Sequence, residues 1–420
     1  MPIPLALDAA TSDYLARLDT FVAEHVEPAE ALLGPDDVRR RREHLESEVI
    51  PALRAAARTA GVYGPQLPRE YGGLELPLTT LAMIAERCGP HRLAALAINM
   101  MAPDEASMHL LEMYGDAAQK ERWLAPLAAG EIRSCFGMTE PDAGSDARRI
   151  STTATRVEGG WRIDGRKAFT SGAIGAKVCI VMANADPSLP RSAGISMFLV
   201  PTDTPGFRIL RELEPMGYYE LGGLCEVELD GVVVTSDALL GELGAGLQMA
   251  RARLGRGRIG HAMRWIGIAQ AALDLGAKRA QERTTFGEPL ARRQAVQWWL
   301  ADGATALRAS RLLVLDALQR MESGLPHETE VSMIKTYVAE TLNSIVDDAL
   351  QIFGGWGYTD DFPLAGWYRD ARSARIYDGP SEIHRWMVAR RVLKDVAEYG
   401  TAAEICGAVP LAGSDGDVGG

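Results

Sequence analysis

Residues 131–146 read Glu-Ile-Arg-Ser-Cys-Phe-Gly-Met-Thr-Glu-Pro-Asp-Ala-Gly-Ser-Asp, and they lie where a helical pattern gives way to a strand pattern. The stretch supplies two hydroxyls (Thr139 and Ser145), a carboxylate (Glu140) and a turn at Pro141–Gly144. A passage from strand to loop that is rich in small and polar residues brings backbone N–H groups close to a flat, phosphate-bearing cofactor. The simpler interpretation is an ordinary β-turn, because turns use the same residues. The length of the whole run favours a cofactor loop.

The composition is typical of a globular enzyme with an acidic surface. The chain has 420 residues, of which 47% are hydrophobic and 24% are charged, and its formal net charge is −12. This length favours two or three subdomains over one compact core. An acidic surface repels phosphate backbones, so we predict that the protein does not bind nucleic acid.

The cysteines and the N-terminus predict where the protein resides. Five cysteines lie far apart without a Cys-x-x-Cys pair, and the first eight residues lack a basic region and a long apolar core. These features predict a reduced, cytoplasmic protein without a signal peptide. No uninterrupted apolar stretch is long enough to insert into a membrane, and we predict no metal site.

Hydrophobic periodicity divides the chain into a helical part, a β-rich part and a second helical part. Residues 8–130 follow a helical period, with one helix predicted at Thr79–Cys88. From 131 to 240 the pattern is that of strands, since apolar and acidic residues alternate over Cys225–Asp230 and Val157–Trp161 has the composition of a hairpin turn. From 245 to about 398 the helical period returns, for example in the stripe Ile334, Val338, Leu342, Ile345 and Ala349. We predict domains at residues 1–130, 131–240 and 241–400, followed by a flexible tail at 401–420.

Four further motifs contain candidate functional residues, and each has a structural explanation when it is taken alone. A strand end followed by a turn would explain Lys167–Ala173. A helix terminus would explain Arg283–Gly287, which has Gln294 downstream and whose arginine could bind pyrophosphate. The glycines of Gln351–Gly357 allow a ligand to approach the backbone closely. In Tyr377–Glu382, the carboxylate of Asp378 is either a functional group or a helix N-cap.

Together these motifs resemble those of the acyl-CoA dehydrogenase family, from about Asp13 to Leu393. The resemblance implies an α+β multidomain fold with an N-terminal helical domain, a central β-barrel or β-sandwich domain and a C-terminal four-helix bundle. It also implies a homodimer or homotetramer whose FAD sites are shared between subunits. Tyr377–Pro380 replaces the Tyr-Glu-Gly-Thr of many members, and this variant resembles the branch of family members ten and eleven. The animal proteins of that branch also carry a kinase-like domain, which this sequence lacks.

The resemblance implies a role for each motif. The run at 131–146 would line the flavin ring, with Thr139 donating to its pyrimidine side, while Phe169 and Ser171 stand where most members have Trp and Thr. The motifs at 283–294 and 351–357 would contact the adenosine–pyrophosphate end of FAD across the subunit interface. The implied cofactor contacts are Phe136, Met138, Thr139, Ser145, Phe169, Thr170, Ser171, Arg283, Phe286, Gln294, Gln351, Gly354, Gly355, Pro380, Ser381 and Glu382. The implied substrate contacts are Ser145, Arg258 and Gly379.

Asp378 is the implied catalytic residue. As general base it would take the α-proton of an acyl-CoA, the β-hydrogen would leave as hydride to flavin N5, and the electrons would pass to an electron-transfer flavoprotein. Its backbone N–H would stabilise the charge that develops on the thioester oxygen. We expect burial to raise the pKa of its carboxyl group and make it a stronger base. The resemblance implies that Arg258 would steady the negative charge of the Asp378 carboxylate. His261 is interpreted as a packed or interface histidine.

Two other classes of function use the same fold. Oxidases of the superfamily, of the acyl-CoA or nitroalkane type, also use a carboxylate base but pass electrons to oxygen. A flavin-retaining protein that binds DNA is the third class. The acidic net charge and the retained Asp378 argue against DNA binding.

Overall fold

The computed structural model describes residues 8–33, 41–186, 188–189, 191–216 and 221–408. Residues 409–420 of the predicted tail therefore lie outside the described residues. Within the described residues, no helix combines the length and the apolar content that crossing a membrane requires.

The N-terminal part is built from helices. The first helix is capped by the side chain of Asp8, which accepts a hydrogen bond from the backbone N–H of Thr11 at 2.6 Å. The predicted helix at Thr79–Cys88 is confirmed and begins one residue earlier. The longer helices of this part are α1 (Ala9–Phe21), α2 (Ile50–Thr59), α3 (Leu78–Cys88) and α4 (Asp104–Tyr114). Shorter helical segments lie at Val22–Val26, Glu27–Glu30, Arg42–His44, Leu45–Val49, Arg69–Tyr71, Ala94–Ala97, Ala117–Gln119, Lys120–Leu124 and Ala125–Ala129.

The middle part is a mixed eight-stranded sheet. Its strands are β1 (Ser134–Gly137), β2 (Thr153–Val157), β3 (Gly160–Ser171), β4 (Val178–Asn184), β5 (Ile195–Pro201), β6 (Phe207–Leu213), β7 (Leu224–Thr235) and β8 (Leu239–Leu240). The path runs β6-β7-β3-β2-β4-β5-β8, and β1 pairs with β4 in parallel. The predicted hairpin is confirmed, since β2 and β3 are antiparallel with Val157 opposite Gly160. Short helical segments lie at Ala147–Arg149, Arg191–Gly194 and Ser236–Ala238.

Of the two architectures expected for the central domain, a β-barrel or a β-sandwich, a closed barrel is not present among the described strands. Closure would require β6 to pair with the other end of the path, but β6 pairs with β7 and β8 is only two residues long. The strands have a hydrophobic core of their own, in which the rings of Trp161 and Phe198 pack edge to face with centroids 5.3 Å apart.

The C-terminal part is a bundle of long helices. They are α5 (Gly246–Glu282), α6 (Gln294–Glu322), α7 (Glu328–Phe353), α8 (Leu364–Ser373) and α9 (Ser381–Tyr399). A small hairpin, β9 (Thr284–Thr285) and β10 (Glu288–Pro289), and the turns Leu290–Arg292 and Gly354–Tyr358 connect them. The predicted stripe from Ile334 to Ala349 is buried on α7. One hydrophobic core joins this bundle to the N-terminal helices, so α5 lies against both helical parts.

Candidate functional site

The loop that follows β1 is held by one buried carboxylate. Glu140 is 4% exposed and accepts hydrogen bonds from the backbone and hydroxyl of both Ser151 and Thr152, at 2.6–2.9 Å. It also forms an ion pair with Lys167 of β3, whose Nζ lies 2.8 Å from Oε1. Lys167 donates to the carbonyl of Met138 at 3.2 Å as well. The segment Ser151–Thr152 and strand β3 therefore both fix the backbone beside Thr139.

A β-bulge near the end of β3 exposes an aromatic side chain. The pairing of β3 with β7 shifts register between Lys167 and Thr170, and Phe169 there has a φ of +59°. Its side chain is 60% exposed, although a phenylalanine in this conformation is strained. The hydroxyl of Thr170 next to it is buried without a partner in the described part of the chain.

Asp378 lies in the loop between α8 and α9, with a φ of +54°. Its Oδ2 lies 3.2 Å from Nε2 of His261 on α5. Its backbone N–H has no acceptor among the described residues. The alternative of a helix N-cap is wrong, because Pro380 occupies the N-cap position of α9 and no side chain caps that helix end.

Three long helices hold the backbone around Asp378. Its carbonyl oxygen accepts hydrogen bonds from Nε of Arg258 on α5 at 2.9 Å and from Nε2 of His384 on α9 at 3.2 Å. The carbonyl of Gly379 accepts from Nζ of Lys335 on α7 at 3.0 Å. Gly379 has a φ of +96°, and a Cβ on it would lie 2.7 Å from Nε2 of His384, so only glycine fits.

The expectation that Asp378 has a raised pKa is wrong. Burial by itself raises the pKa of this carboxyl group, but the hydrogen bond from His261 and the positive charges of Arg253 and Arg258 outweigh burial. The net effect holds the pKa of Asp378 well below its ordinary value. In the free protein the group is therefore a carboxylate throughout the neutral range.

The interpretation of His261 as a packed or interface histidine is incomplete, because the ring packs on Trp265 and Tyr377 but its Nε2 also contacts the carboxylate of Asp378. Lys335 was missed as well, although it is fully buried and donates to the carbonyl of Ala374 at 2.7 Å in addition to that of Gly379. A signal for Lys335 existed in the sequence. It lies between Ile334 and Val338 in the buried stripe of α7, where a charged residue needs a specific partner.

Arg253 connects strand β1 with Asp378. Its guanidinium lies over the ring of Phe136, 4.0 Å from the centroid, and its charge acts on Asp378. Its Nε is buried without a hydrogen-bond partner in the described residues. Sequence reasoning also missed this residue, which brings the first motif and the last into one site.

A groove of about 620 Å³ brings the two remaining motifs together. Its lining includes the predicted Arg283, Gln351, Gly354 and Gly355, and also Arg279, which the sequence did not single out. Phe286 lies outside the lining, 98% exposed with a φ of +51°, and Gln294 is exposed on the first turn of α6.

The other predicted residues lie in the loop after β1, at the end of β3 and at the start of α9. Met138 and Thr139 are half-buried after β1, Ser145 is exposed in the loop and Ser171 ends β3. At the start of α9, Ser381 is buried with an unpartnered hydroxyl in the described structure, and Glu382 is exposed. Positive φ angles occur at five described non-glycine residues, and three of them are the predicted Phe169, Phe286 and Asp378. Strain of this kind accumulates where function requires it.

The architecture has two helical parts around a β part, and Arg253 links Phe136 of β1 to the carboxylate of Asp378. The N-terminal, middle and C-terminal domain models of the acyl-CoA dehydrogenase family match residues 11–131, 135–232 and 244–393. The chain belongs to the acyl-CoA dehydrogenase family. The family and the fold class predicted from the sequence are confirmed.

Individual relatives agree with this assignment. The "probable acyl-CoA dehydrogenase FadE2" of Mycobacterium tuberculosis is 40% identical over 399 residues, which cover 92% of this chain and 96% of the relative. Acyl-CoA dehydrogenase family member 11 of Gallus gallus is 36% identical over 406 residues, which cover 93% of this chain but 51% of that protein. This chain thus spans about half the length of that relative. The butyryl-CoA dehydrogenase structure from Megasphaera elsdenii superposes with a TM-score of 0.80 at 29% identity, covering 92% of this chain and 99% of the other.

Proposed function

We propose that the protein is an FAD-dependent dehydrogenase that introduces an α,β double bond into an acyl-CoA, with Asp378 as the general base. One observation carries the proposal. Asp378 presents a carboxylate and a backbone N–H without an acceptor in the described residues, in a strained loop that α5, α7 and α9 hold in place. A base beside a hydrogen-bond donor is the arrangement that removal of a proton next to a carbonyl requires.

The residues present fit a flavin nucleotide. The groove contains two arginines, Arg279 and Arg283, beside the backbone of Gly354 and Gly355, a set suited to a pyrophosphate. The buried hydroxyls of Thr170 on β3 and of Ser381 at the start of α9 lack partners in the described residues. Bound FAD would supply the acceptor for the β-hydrogen. The family relationship and the predicted contacts at 136–145 and 169–171 support this choice of cofactor.

Residues of the chain prepare the proton transfer. The carboxylate of Asp378 takes the α-proton, and its N–H donates to the thioester oxygen on which charge develops. The side chain of Asp378 is 22% exposed in the free protein, so a substrate would cover it. Loss of the remaining water raises the pKa of a carboxyl group, because desolvation disfavours the charged form. Substrate binding would thus strengthen a base that is weak in the free protein.

The test is anaerobic bleaching of the yellow protein by a panel of acyl-CoAs. Asp378→Asn should bind FAD but should not be bleached by any substrate that bleaches the wild type. Asp274→Asn is the matched control, because Asp274 on α5 bonds only Gln270 at 2.9 Å among the described side chains. Normal bleaching of Asp378→Asn would contradict the assignment of the base.

An oxidase is the second candidate, and one observation favours it. A carboxyl group whose pKa is held low is a weak base, which suits a more acidic carbon acid such as a nitroalkane. In that case, mixing the reduced protein with air should produce peroxide rapidly. Slow reoxidation by air together with rapid reoxidation by an electron-transfer flavoprotein would favour the dehydrogenase.

The proposed assembly is a homodimer or homotetramer with shared FAD sites. The strained and almost fully exposed Phe286 supports this, since a bulky aromatic in that state is well placed for a partner subunit. Light scattering with a flavin-to-protein ratio tests it. Dilution to monomers should release FAD, and a monomer that retains its full flavin content would contradict the shared site.

A further inference from the structure

Arg264, His261 and Asp378 form a chain of hydrogen bonds. Arg264 determines which atom of His261 accepts and which one donates. Nη2 of Arg264 lies 2.7 Å from Nδ1 of His261, and Nε2 of His261 lies 3.2 Å from Oδ2 of Asp378. A guanidinium can only donate, so Nδ1 of His261 must be the acceptor. The single ring proton of neutral His261 is then on Nε2, where it is donated to Asp378.

Packing holds the imidazole ring in this orientation. His261 stacks on Trp265, with centroids 5.9 Å apart and an interplanar angle of 20°, and it meets the edge of Tyr377 at 5.0 Å. Trp265 in turn donates to the hydroxyl of Tyr377 at 3.1 Å. The ring is therefore fixed by α5 on one side and by the loop of Asp378 on the other.

We infer that His261, held by Arg264 as the Nε2–H tautomer, is a positioning residue that orients the carboxylate of Asp378 and leaves its Oδ1 free to accept the substrate proton. The inference rests on the proposed function of Asp378 as the base. His261 cannot act as a competing base, because its Nδ1 lone pair already accepts the hydrogen bond from the Arg264 guanidinium. Burial and that charge also lower the pKa of His261, which favours the neutral ring.

Other charged groups face this pair from every neighbouring element, and none of them replaces the hydrogen bond from His261 to Oδ2. Arg253 and Arg258 on α5 act on Asp378 through space, and Arg258 bonds its carbonyl oxygen. The remaining groups are Lys335 on α7, His384 on α9 and Tyr377 in the same loop, with Glu105 acting on Arg253 and Asp370 acting on Tyr377.

The first test observes the tautomer directly and needs no turnover. In the holoenzyme labelled with ¹⁵N-histidine, the ring signals of His261, assigned by their loss in His261→Gln, should show the neutral Nε2–H form at pH 7 and above. Arg264→Met should free Nδ1, and His261 should then take up its second proton at a higher pH than in the wild type, because one of the causes that lower its pKa is removed. A wild-type His261 that is doubly protonated at pH 7, or protonated on Nδ1, would overturn the inference even if the enzyme proves to be a dehydrogenase.

The second test is the pH profile of kcat/KM. His261→Leu should shift the acid limb upward by one pH unit or more, because the carboxylate of Asp378 loses a donor. His261→Gln keeps an N–H donor and should restore most of that shift. His44→Gln is the matched control, since His44 faces Glu48 at 3.4 Å with a side chain that is 42% exposed. An unshifted limb in a folded, flavin-loaded His261→Leu would refute the positioning role. If the wild type itself has no dehydrogenase activity, the proposed function fails, while the tautomer measurement still decides the geometry.

Discussion

The ion pair between Glu140 and Lys167 should be essential for the loop that follows β1. Glu140→Gln removes the negative charge opposite an ammonium group that is 1% exposed. It also places an amide N–H₂ where one carboxylate oxygen now accepts hydrogen bonds. With Oε1 kept for Thr152 and Lys167, the amide nitrogen would face the two donors of Ser151. The variant therefore keeps the shape of the side chain and loses its charge and half of its acceptors.

The size of the effect follows from the same contacts. Burial by itself would raise the pKa of Glu140, but Lys167 and the hydroxyls of Ser151 and Thr152 lower it from 4.5 to about 2. A difference of that size corresponds to about 3 kcal/mol of folding stability. Loss of one partner of a buried ion pair costs about 3–5 kcal/mol in other proteins. Burial lowers the pKa of Lys167 to about 8, so the ammonium does not recover its full desolvation cost, and we expect the lower figure, about 3 kcal/mol.

The assay is urea unfolding followed by tryptophan fluorescence, because Trp161 is buried in the same sheet. FAD retention on gel filtration is the second measurement, since the ion pair holds the backbone beside Thr139. The folded pKa of Glu140 is lowered, so its contribution is present above about pH 4.5 and is lost as the pH falls towards 2. The difference between wild type and Glu140→Gln should shrink over that window.

Glu228→Gln is the matched control. Glu228 forms a 2.8 Å ion pair with Arg208 between β7 and β6, but the two side chains are 30% and 53% exposed. An exposed pair of this kind is worth less than about 1 kcal/mol. If Glu140→Gln unfolds within about 1 kcal/mol of the wild type and retains its FAD, the argument from buried charge is refuted.

Three further predictions concern the loop of Asp378 and the groove. Gly379→Ala should lower turnover at least tenfold in a folded protein, because the φ of Gly379 is +96° and His384 blocks a Cβ. The control Gly400→Ala, at a φ of +75° with nothing within 4 Å of a Cβ, should cost only about 1 kcal/mol of folding stability and keep activity. Equal turnover in both variants would contradict this. Arg283→Ala should weaken FAD binding about tenfold in equilibrium dialysis, while the exposed Arg69→Ala should not, and equal affinities would contradict the groove assignment. Burial lowers the pKa of His384 from 6.5 to about 4, so folding stability should fall by about 3 kcal/mol as the pH falls from 6.5 to 4. His384→Gln should reduce this pH dependence in urea titrations. An unchanged pH dependence in the variant would refute the assignment to His384.

The sequence predicted the helices and strands well, because the spacing of apolar residues repeats every few residues within each of them. The stripe on α7 and the alternation in β7 reflect burial of one face, and burial is visible in the spacing of apolar residues. The choice between a β-barrel and a β-sandwich, which the prediction left open, is of a different kind, since closure depends on which strand ends meet. Hydrophobic spacing contains no information on that pairing.

Residues of the candidate site that belong to a sequence motif could be predicted. Residues that take part only through a contact with a distant part of the chain could not. Arg283 and Gln351 were expected to act together, and both line the groove. His261 was misjudged because no feature of its local sequence indicates that its Nε2 lies 3.2 Å from Asp378. Lys335 could have been suspected from its place in a buried stripe, but its acceptors, the carbonyls of residues 374 and 379, could not.

The sequence by itself determined the helical, β and helical parts, the family, and the carboxylate at position 378. The tertiary structure decided how that carboxylate behaves. Burial and nearby charge act in opposite directions on its pKa, and the result depends on distances between residues far apart in the chain. Residue spacing records which side chains are present and which are buried. Only the packing of α5, α7 and α9 around one loop determines which charges meet there and which nitrogen of His261 carries the proton.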